Sequence, residues 1–265
     1  MAVLCHRQLQ TAKNFVWMFN CVNDRLPEGE LIIMLRMPGL NNRRALSALQ
    51  IIALVTFLFA GTPGAVYSTT PALRTISMAE ARSLPLGTVV TIDGSVTVPS
   101  GAFSSSTFDQ GFAIQDRTGG IYISTSDNLG LALRQQVRVT GTLADTVLPG
   151  LLVLVAVTEV KTHGTGPKVQ PVAVSTGAVG EATEGTLVRI TGTITQPIVN
   201  DLPFGFIIFV NDGSGEVHSF VCASTGIDVS GLSQGQTVEI TGFSGQFASD
   251  FEVDPRTQDD IRIVN

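Results

Sequence analysis

Cysteine is almost missing from this chain, with three among 265 residues. Cys5 and Cys21 fall ahead of a leader-like segment, so only Cys222 belongs to the part expected to fold. A lone thiol excludes an intrachain disulfide framework, and its distance from the leader excludes a lipid anchor. In a predicted strand it reads as a small buried hydrophobe. Histidine is equally scarce, at three. His163 and His218 have no partner at zinc-ligand spacing, and no serine stands in a G-x-S-x-G turn. With no converging nucleophile, base or ligand cluster, the chain reads as non-enzymatic, with neither metal nor other cofactor.

Positive charge is also short. Residues 69–265 carry 10 Lys+Arg against 19 Asp+Glu, a formal charge of −9. Tight polyanion binding draws largely on cationic contacts to phosphates, and Arg117, Arg134, Arg138 and Arg189 are too few to assert a basic patch. The acidic end, Asp250, Glu252, Asp254, Asp259 and Asp260, reads as a solvated edge rather than a cation site. Asp212-Gly213-Ser214-Gly215-Glu216 has the look of a calcium loop, but it lacks the alternating acidic ligands and the terminal glutamate. A hairpin turn is expected there.

The apolar run from Ala45 to Ala60 has 16 residues, short of the roughly 20 that a bilayer span needs. Arg43-Arg44 precede it and Gly61-Thr62-Pro63-Gly64 ends it, which is the layout of an export signal. The signal is expected over 37–68, with cleavage near Ala65 to Ser68 and an uncleaved single-pass anchor as the alternative. Residues 1–36, upstream of this leader, read as a misassigned N-terminal extension with Met34 or Met37 as the start. The protein is therefore expected outside the cytoplasm, as a secreted, periplasmic or cell-surface chain that meets a membrane only through an uncleaved leader.

What the chain does have is a pentapeptide, V-x-(I/V)-(T/D)-G, at Val90, Val137, Val188 and Val238. Gly87-Thr88-Val89 answers Gly185-Thr186-Leu187, Gly111-Phe112 answers Gly205-Phe206, and Asp116-Arg117-Thr118-Gly119 answers Asp212-Gly213-Ser214-Gly215, at separations of 94 to 98 residues. The repeat is thus two domains of ordinary size, expected at 69–160 and 181–265 with a linker at 161–180. Each uses the pentapeptide twice. Alternation of period two marks each copy as a half-buried strand. Its glycine predicts a bulge or sharp bend, at backbone angles that only glycine tolerates.

Hairpins are expected at 111–116 with 120–125 and at 205–211 with 216–223. Variable connections at 126–135 and 224–235 lead to the second pentapeptide strand and a final strand. Val172-Ala173-Val174-Ser175 can add a short strand before the second domain. The fold class is all-β, with two tandem five-stranded OB-like Greek-key barrels after the export signal.

LPLGTVVTIDGSVT followed by FDQGFAIQDRTGGIYIS resembles the OB-fold modules of bacterial secreted proteins that accompany nuclease or other hydrolase domains. EATEGTLVRITGTIT, from Glu181, is similar to the EGxLV first strand of such modules in extracellular nucleases. The resemblance covers residues 76 to 264. It departs in that no nuclease domain follows, so catalytic residues of those proteins have no positions here to occupy.

OB barrels bind on the curved face of strands 2 and 3. If Ile114, Ile121 and Ile123 point inward, Gln115 and Tyr122 point out. In the second domain, Ile208, Val210 and Val217 inward puts Phe209, Asn211 and His218 outward, with Phe220 joining them if a bulge follows Val217. These residues, with Arg189 as a nearby cation, form the candidate ligand-binding set. Exposed aromatics there can stack on bases, on sugar rings or against a protein. The expectation is a non-catalytic binding protein for single-stranded DNA or RNA, with a surface protein or glycan as the alternative partner.

Overall fold

The computed structural model describes residues 74–146 and 150–264. The leader expected at 37–68 and the extension at 1–36 lie outside the described residues. Among the described residues no helix is long and apolar enough to cross a membrane.

The first domain runs β1 (Thr75–Ile76), α1 (Met78–Arg82), β2 (Val89–Val98), α2 (Ser104–Thr107), β3 (Phe112–Gln115), β4 (Gly120–Ile123), β5 (Gln135–Asp145) and β6 (Leu152–Thr165). Its sheet order is β1-β2-β3-β4-β6-β5, and a β2–β5 pairing closes a five-stranded barrel. The second domain runs β7 (Val172–Ala173), β8 (Leu187–Ile194), β9 (Val199–Asp201), β10 (Gly205–Asn211), β11 (Glu216–Cys222), β12 (Thr237–Phe247), β13 (Asp250–Asp254) and β14 (Ile261–Ile263). Strands β8, β10, β11, β13 and β12 close in the same way, with β12 returning to β8. In each barrel the third strand pairs in parallel with the fifth, at Tyr122↔Val153 and His218↔Glu252. Both barrels have the OB-like topology expected. Of the segment 161–180, residues through Thr165 complete β6 and β7 belongs to the second barrel, leaving 166–171 between them.

The repeated pentapeptide has a pairing origin. Val90 to Gly94 lies antiparallel to Val137 to Gly141 with Val90↔Gly141, Ile92↔Val139 and Gly94↔Val137. The second barrel repeats the register, with Val188↔Gly242, Ile190↔Ile240 and Gly192↔Val238. The two copies in a barrel are thus direct cross-strand partners, each glycine facing the other copy's valine, and the valines and isoleucines fill the cores. Between them Asp93 accepts Arg138 Nε at 2.8 Å and Nη2 at 2.7 Å.

The glycines answer a crossing rather than a special backbone angle. None of the four has positive φ. A Cβ on Gly192 would stand 2.8 Å from the backbone carbon of Asn211, one on Gly242 2.7 Å from that of Asp254, and one on Gly141 3.0 Å from the Val155 carbonyl. At these three positions the neighbouring strand on the far side passes too close for a side chain, and a Cβ on Gly94 would stand 3.0 Å from Met78 Cε of α1. A register slip does fall at the pentapeptide glycine of β5, where the pairing with β6 shifts between Thr140 and Thr142, whereas that of β2 lies beyond its glycine, between Val96 and Val98.

Hairpin turns also hold the segment ahead of each barrel. Asp116 accepts the amides of Thr118 (2.6 Å) and Met78 (3.0 Å). Asp212 likewise accepts those of Ser214 (2.9 Å) and Thr176 (3.1 Å). Donors from the Ser214 hydroxyl and amide hold Asp212 well below the usual carboxylate range, with Thr176 adding to them. One oxygen is held by the turn itself and the other by the Thr176 amide, so the carboxylate serves the hairpin and the segment ahead of it.

The two barrels share a third core. Val98, Phe103, Ala113, Tyr122, Leu151 and Val153 from the first meet Phe220, Cys222 and Phe243 from the second. Polar contacts cross the same boundary: Arg82 Nη2 donates to Glu184 Oε1 at 2.8 Å, the Leu187 amide to Gln115 Oε1 at 2.8 Å, and Arg256 Nη1 to the Thr97 carbonyl at 2.8 Å. Gly120 and Gly185 touch, since a Cβ on Gly120 would lie 2.0 Å from the Gly185 carbonyl oxygen.

The acidic end corrects the reading of a solvated edge. Asp250 and Asp259 are exposed, whereas Asp254 and Asp260 are each only 8% exposed. Alternation along β13 sends Val253 into the barrel core and Asp254 to the opposite side, where it is nevertheless buried. Asp254 Oδ1 has no hydrogen-bond partner. Burial raises its carboxyl well above the ordinary range, and the Glu252 and Cys222 charges add to the shift. Above the ordinary carboxylate range the native state therefore holds a proton that the unfolded chain has released, so stability falls as pH rises through that window. Asp254→Asn is expected to flatten this slope and to stabilise the fold near neutral pH, because the amide carries no proton to lose. Urea melts across pH check it, and an unchanged slope would contradict it.

Candidate ligand-binding face

The outer face of a barrel strand is set by simple alternation. On β10, Phe206, Ile208 and Val210 join the core of the second barrel. Gly205, Ile207, Phe209 and Asn211 then face out. On β11, Val217 and Val221 are core, so His218, Phe220 and Cys222 face out. The β10–β11 register is unbroken, with Phe209↔His218 and Ile207↔Phe220. Phe220 faces out by alternation alone, without the bulge expected after Val217.

Facing out of a barrel is not the same as facing water. Phe220 is 5% exposed and Tyr122 2%, because each is covered by the opposite barrel. Tyr122 donates its hydroxyl to Asp109 at 2.7 Å, and burial, with the Asp109 charge behind it, pushes the phenol up so that it stays protonated. Gln115 spends its carbonyl oxygen on the Leu187 amide. Tyr122 and Phe220 are closed to a ligand in this arrangement, and Gln115 is half-buried with its oxygen committed across the joint. Arg189 lies on β8 with Nε 3.8 Å from Glu239. Since β8 meets β10 only at Thr193 and Ile194, Arg189 is not brought to the β10–β11 face.

Phe209 and His218 remain together and half-buried, their rings edge-on with centroids 4.7 Å apart. Asn211 extends the same stripe, with Oδ1 accepting the Gly213 amide at 2.6 Å. Carboxylates flank the stripe: Glu216 is the register partner of Asn211, and Glu252 that of His218. The face is aromatic in the middle and acidic at its margins. Six cationic side chains, Arg74, Arg82, Arg138, Lys161, Arg189 and Arg256, are already paired with carboxylates elsewhere.

Sequence reasoning missed the joint's other polar groups. Cys222 is buried as expected, yet its Sγ lies 2.6 Å from Ser105 Oγ and 3.1 Å from Ser224 Oγ. Burial raises the thiol and these hydroxyls lower it, and the hydroxyls prevail. On the first barrel an open groove of about 540 Å³ is bordered by Ser124, Asp127, Leu129, Thr158 and Glu159, among others. It offers hydroxyls and carboxylates but no aromatic ring. Among the described residues no group of three or more His, Cys, Asp or Glu could hold a metal ion.

No family model matches the chain, and no curated protein matches it. Solved OB-fold structures do. The hypothetical protein YgiW of E. coli is 25% identical, covering 37% of this chain and 95% of its own, with a TM-score of 0.26. A murine DNA-binding protein bound to double-stranded DNA is 9% identical, covering 62% of this chain and 90% of its own, at 0.33. Fission yeast Pot1 with single-stranded DNA is 10% identical, covering 71% of this chain and 88% of its own, at 0.33. Overlaps this weak transfer no ligand, and the OB-like assignment rests on strand order.

Proposed function

We propose that this chain is an exported, non-catalytic binding protein that takes single-stranded nucleic acid on the outer face of its second barrel. The observation that carries the reading is the Phe209–His218 ring pair, held half-open on the second and third strands of an OB-like barrel. Export is supported by Arg43-Arg44 ahead of the apolar run from Ala45 to Ala60. The charges set the mode of binding. With Glu216 and Glu252 at the margins and six cations already paired, bases rather than phosphates supply the contact. Affinity is then modest and nearly independent of salt, unlike that of proteins that neutralise phosphates.

A second reading is favoured by the same carboxylates: an uncharged glycan would stack on Phe209 without electrostatic cost and donate hydrogen bonds from its hydroxyls to the flanking carboxylates, of which Glu216 already accepts from Thr195 and Gln196. Fluorescence anisotropy with labelled single-stranded DNA and RNA, at low and moderate salt, separates the two. Phe209→Ala is expected to weaken binding about tenfold, within the range for one stacked base. No binding even at low salt would sink the nucleic-acid reading and leave the glycan.

A further inference from the structure

The joint brings together the loops that follow the first strand of each barrel, 99–111 and 195–204. Ser105 Oγ donates to the Phe204 carbonyl at 2.9 Å, and Ser224 Oγ to that of Ala102 at 2.7 Å. On the first loop Phe108 is 69% exposed and left-handed, with φ 60° and ψ 20°. That conformation is disfavoured for a residue with a bulky side chain. A helical turn needing only an end cap takes glycine or asparagine there, whereas here a phenyl ring is held out into water. Its edge meets Phe204 of the other barrel, with centroids 5.7 Å apart at 82°. Leu202 is also exposed beside Phe204 in the chain.

Phe204 leads into β10, whose outward residues continue through Ile207 to Phe209. Phe204 and Ile207 are half-buried, each with one side on the shared core, so a partly exposed apolar line runs from Phe108 on the first barrel, through them, to Phe209 and His218 on the second. Its β10 part alone, Gly205 to Phe209, spans about 13 Å at the strand rise. We propose that Phe108 and Phe204 form a second stacking subsite, and that one single strand runs along this line across the joint. The inference rests on the nucleic-acid reading above and adds a subsite and a length requirement. The fixed joint holds the two subsites at a set spacing, so a strand that reaches both gains affinity without a linker to order.

Anisotropy with the full chain and labelled oligothymidylates of about 4 and about 16 nucleotides, the ends of the range one OB fold covers, tests it. The longer strand is expected to bind more tightly. Phe108→Ala is expected to weaken the longer strand about tenfold and to leave the shorter one unaffected. Phe108→Asn, which suits the left-handed position, should behave like Phe108→Ala, placing the loss on the ring rather than on the backbone. Leu86→Ala, an exposed apolar side chain outside the line, should change neither. A Phe108→Ala protein that loses nothing, or loses equally at both lengths, overturns the subsite; if Phe209→Ala still weakens binding, the nucleic-acid reading stands without it. Failure of the wild-type protein to bind either strand overturns both.

Discussion

Phe243→Ala is expected to cost about 3–5 kcal/mol, the range for removing a large aromatic ring from a packed core. Phe243 is 2% exposed and lies just past a pentapeptide glycine on β12. Its ring centroid is 6.2 Å from that of Phe103 and 6.2 Å from that of Tyr122, both in the first barrel. The space left behind is walled by strands of two barrels that are each held by their own ladders, so it collapses poorly. Because the ring is shared, the loss should appear in both barrels together. Urea melts followed by circular dichroism measure it, and a loss below about 1 kcal/mol would mean that the site relaxes at little cost.

Asp260→Asn should be of similar size. Arg256 gives Nε to Asp260 at 2.9 Å and Nη2 at 2.7 Å, and both side chains are under 10% exposed. The remaining nitrogen reaches the Thr97 carbonyl where the β2–β3 register slips. Neutralising the carboxylate leaves a buried guanidinium without its counter-charge, at about 3–5 kcal/mol. Arg256→Met should cost less, because Asp260 keeps the amides of Arg256 and Thr257 as donors, at 2.9 and 3.2 Å. The reverse order in equilibrium unfolding would mean that the Thr97 contact outweighs the ion pair.

Those two residues show where the sequence was opaque. Periodicity resolves what repeats, so the pentapeptide strands, both hairpins and the inward residues Ile114, Ile121, Ile208 and Val210 were legible from alternation alone. The final strand of the second barrel was not. Pro255, Arg256 and a 3-10 turn at Gln258–Asp260 split it into β13 and β14, where β6 in the first barrel is continuous. The first barrel's β1 and α1 were also missed, although Thr75-Ile76 and Val172-Ala173 stand at matching places beside β2 and β8.

The candidate site was legible in direction and not in exposure. Parity placed Tyr122, Phe209 and His218 outside their barrels, and Phe220 was added to them only through an expected bulge, but a single strand's pattern cannot say whether outside means solvent or a neighbouring domain. Tyr122 and Phe220 met the neighbour; Phe209 and His218 did not. Phe108 gave no periodic signal, since it follows a serine-rich turn where neighbouring side chains have no fixed alternation. Its exposure comes from a backbone conformation that sequence pattern does not encode.

The candidate face depends on the two barrels being one folded unit, because their joint covers Tyr122 and Phe220 and aligns what remains. Scanning calorimetry of the protein tests this most directly. One transition, with calorimetric and van't Hoff enthalpies equal, is the predicted result. Two separable transitions, or one transition with a van't Hoff enthalpy about half the calorimetric value, would show independent barrels and contradict it.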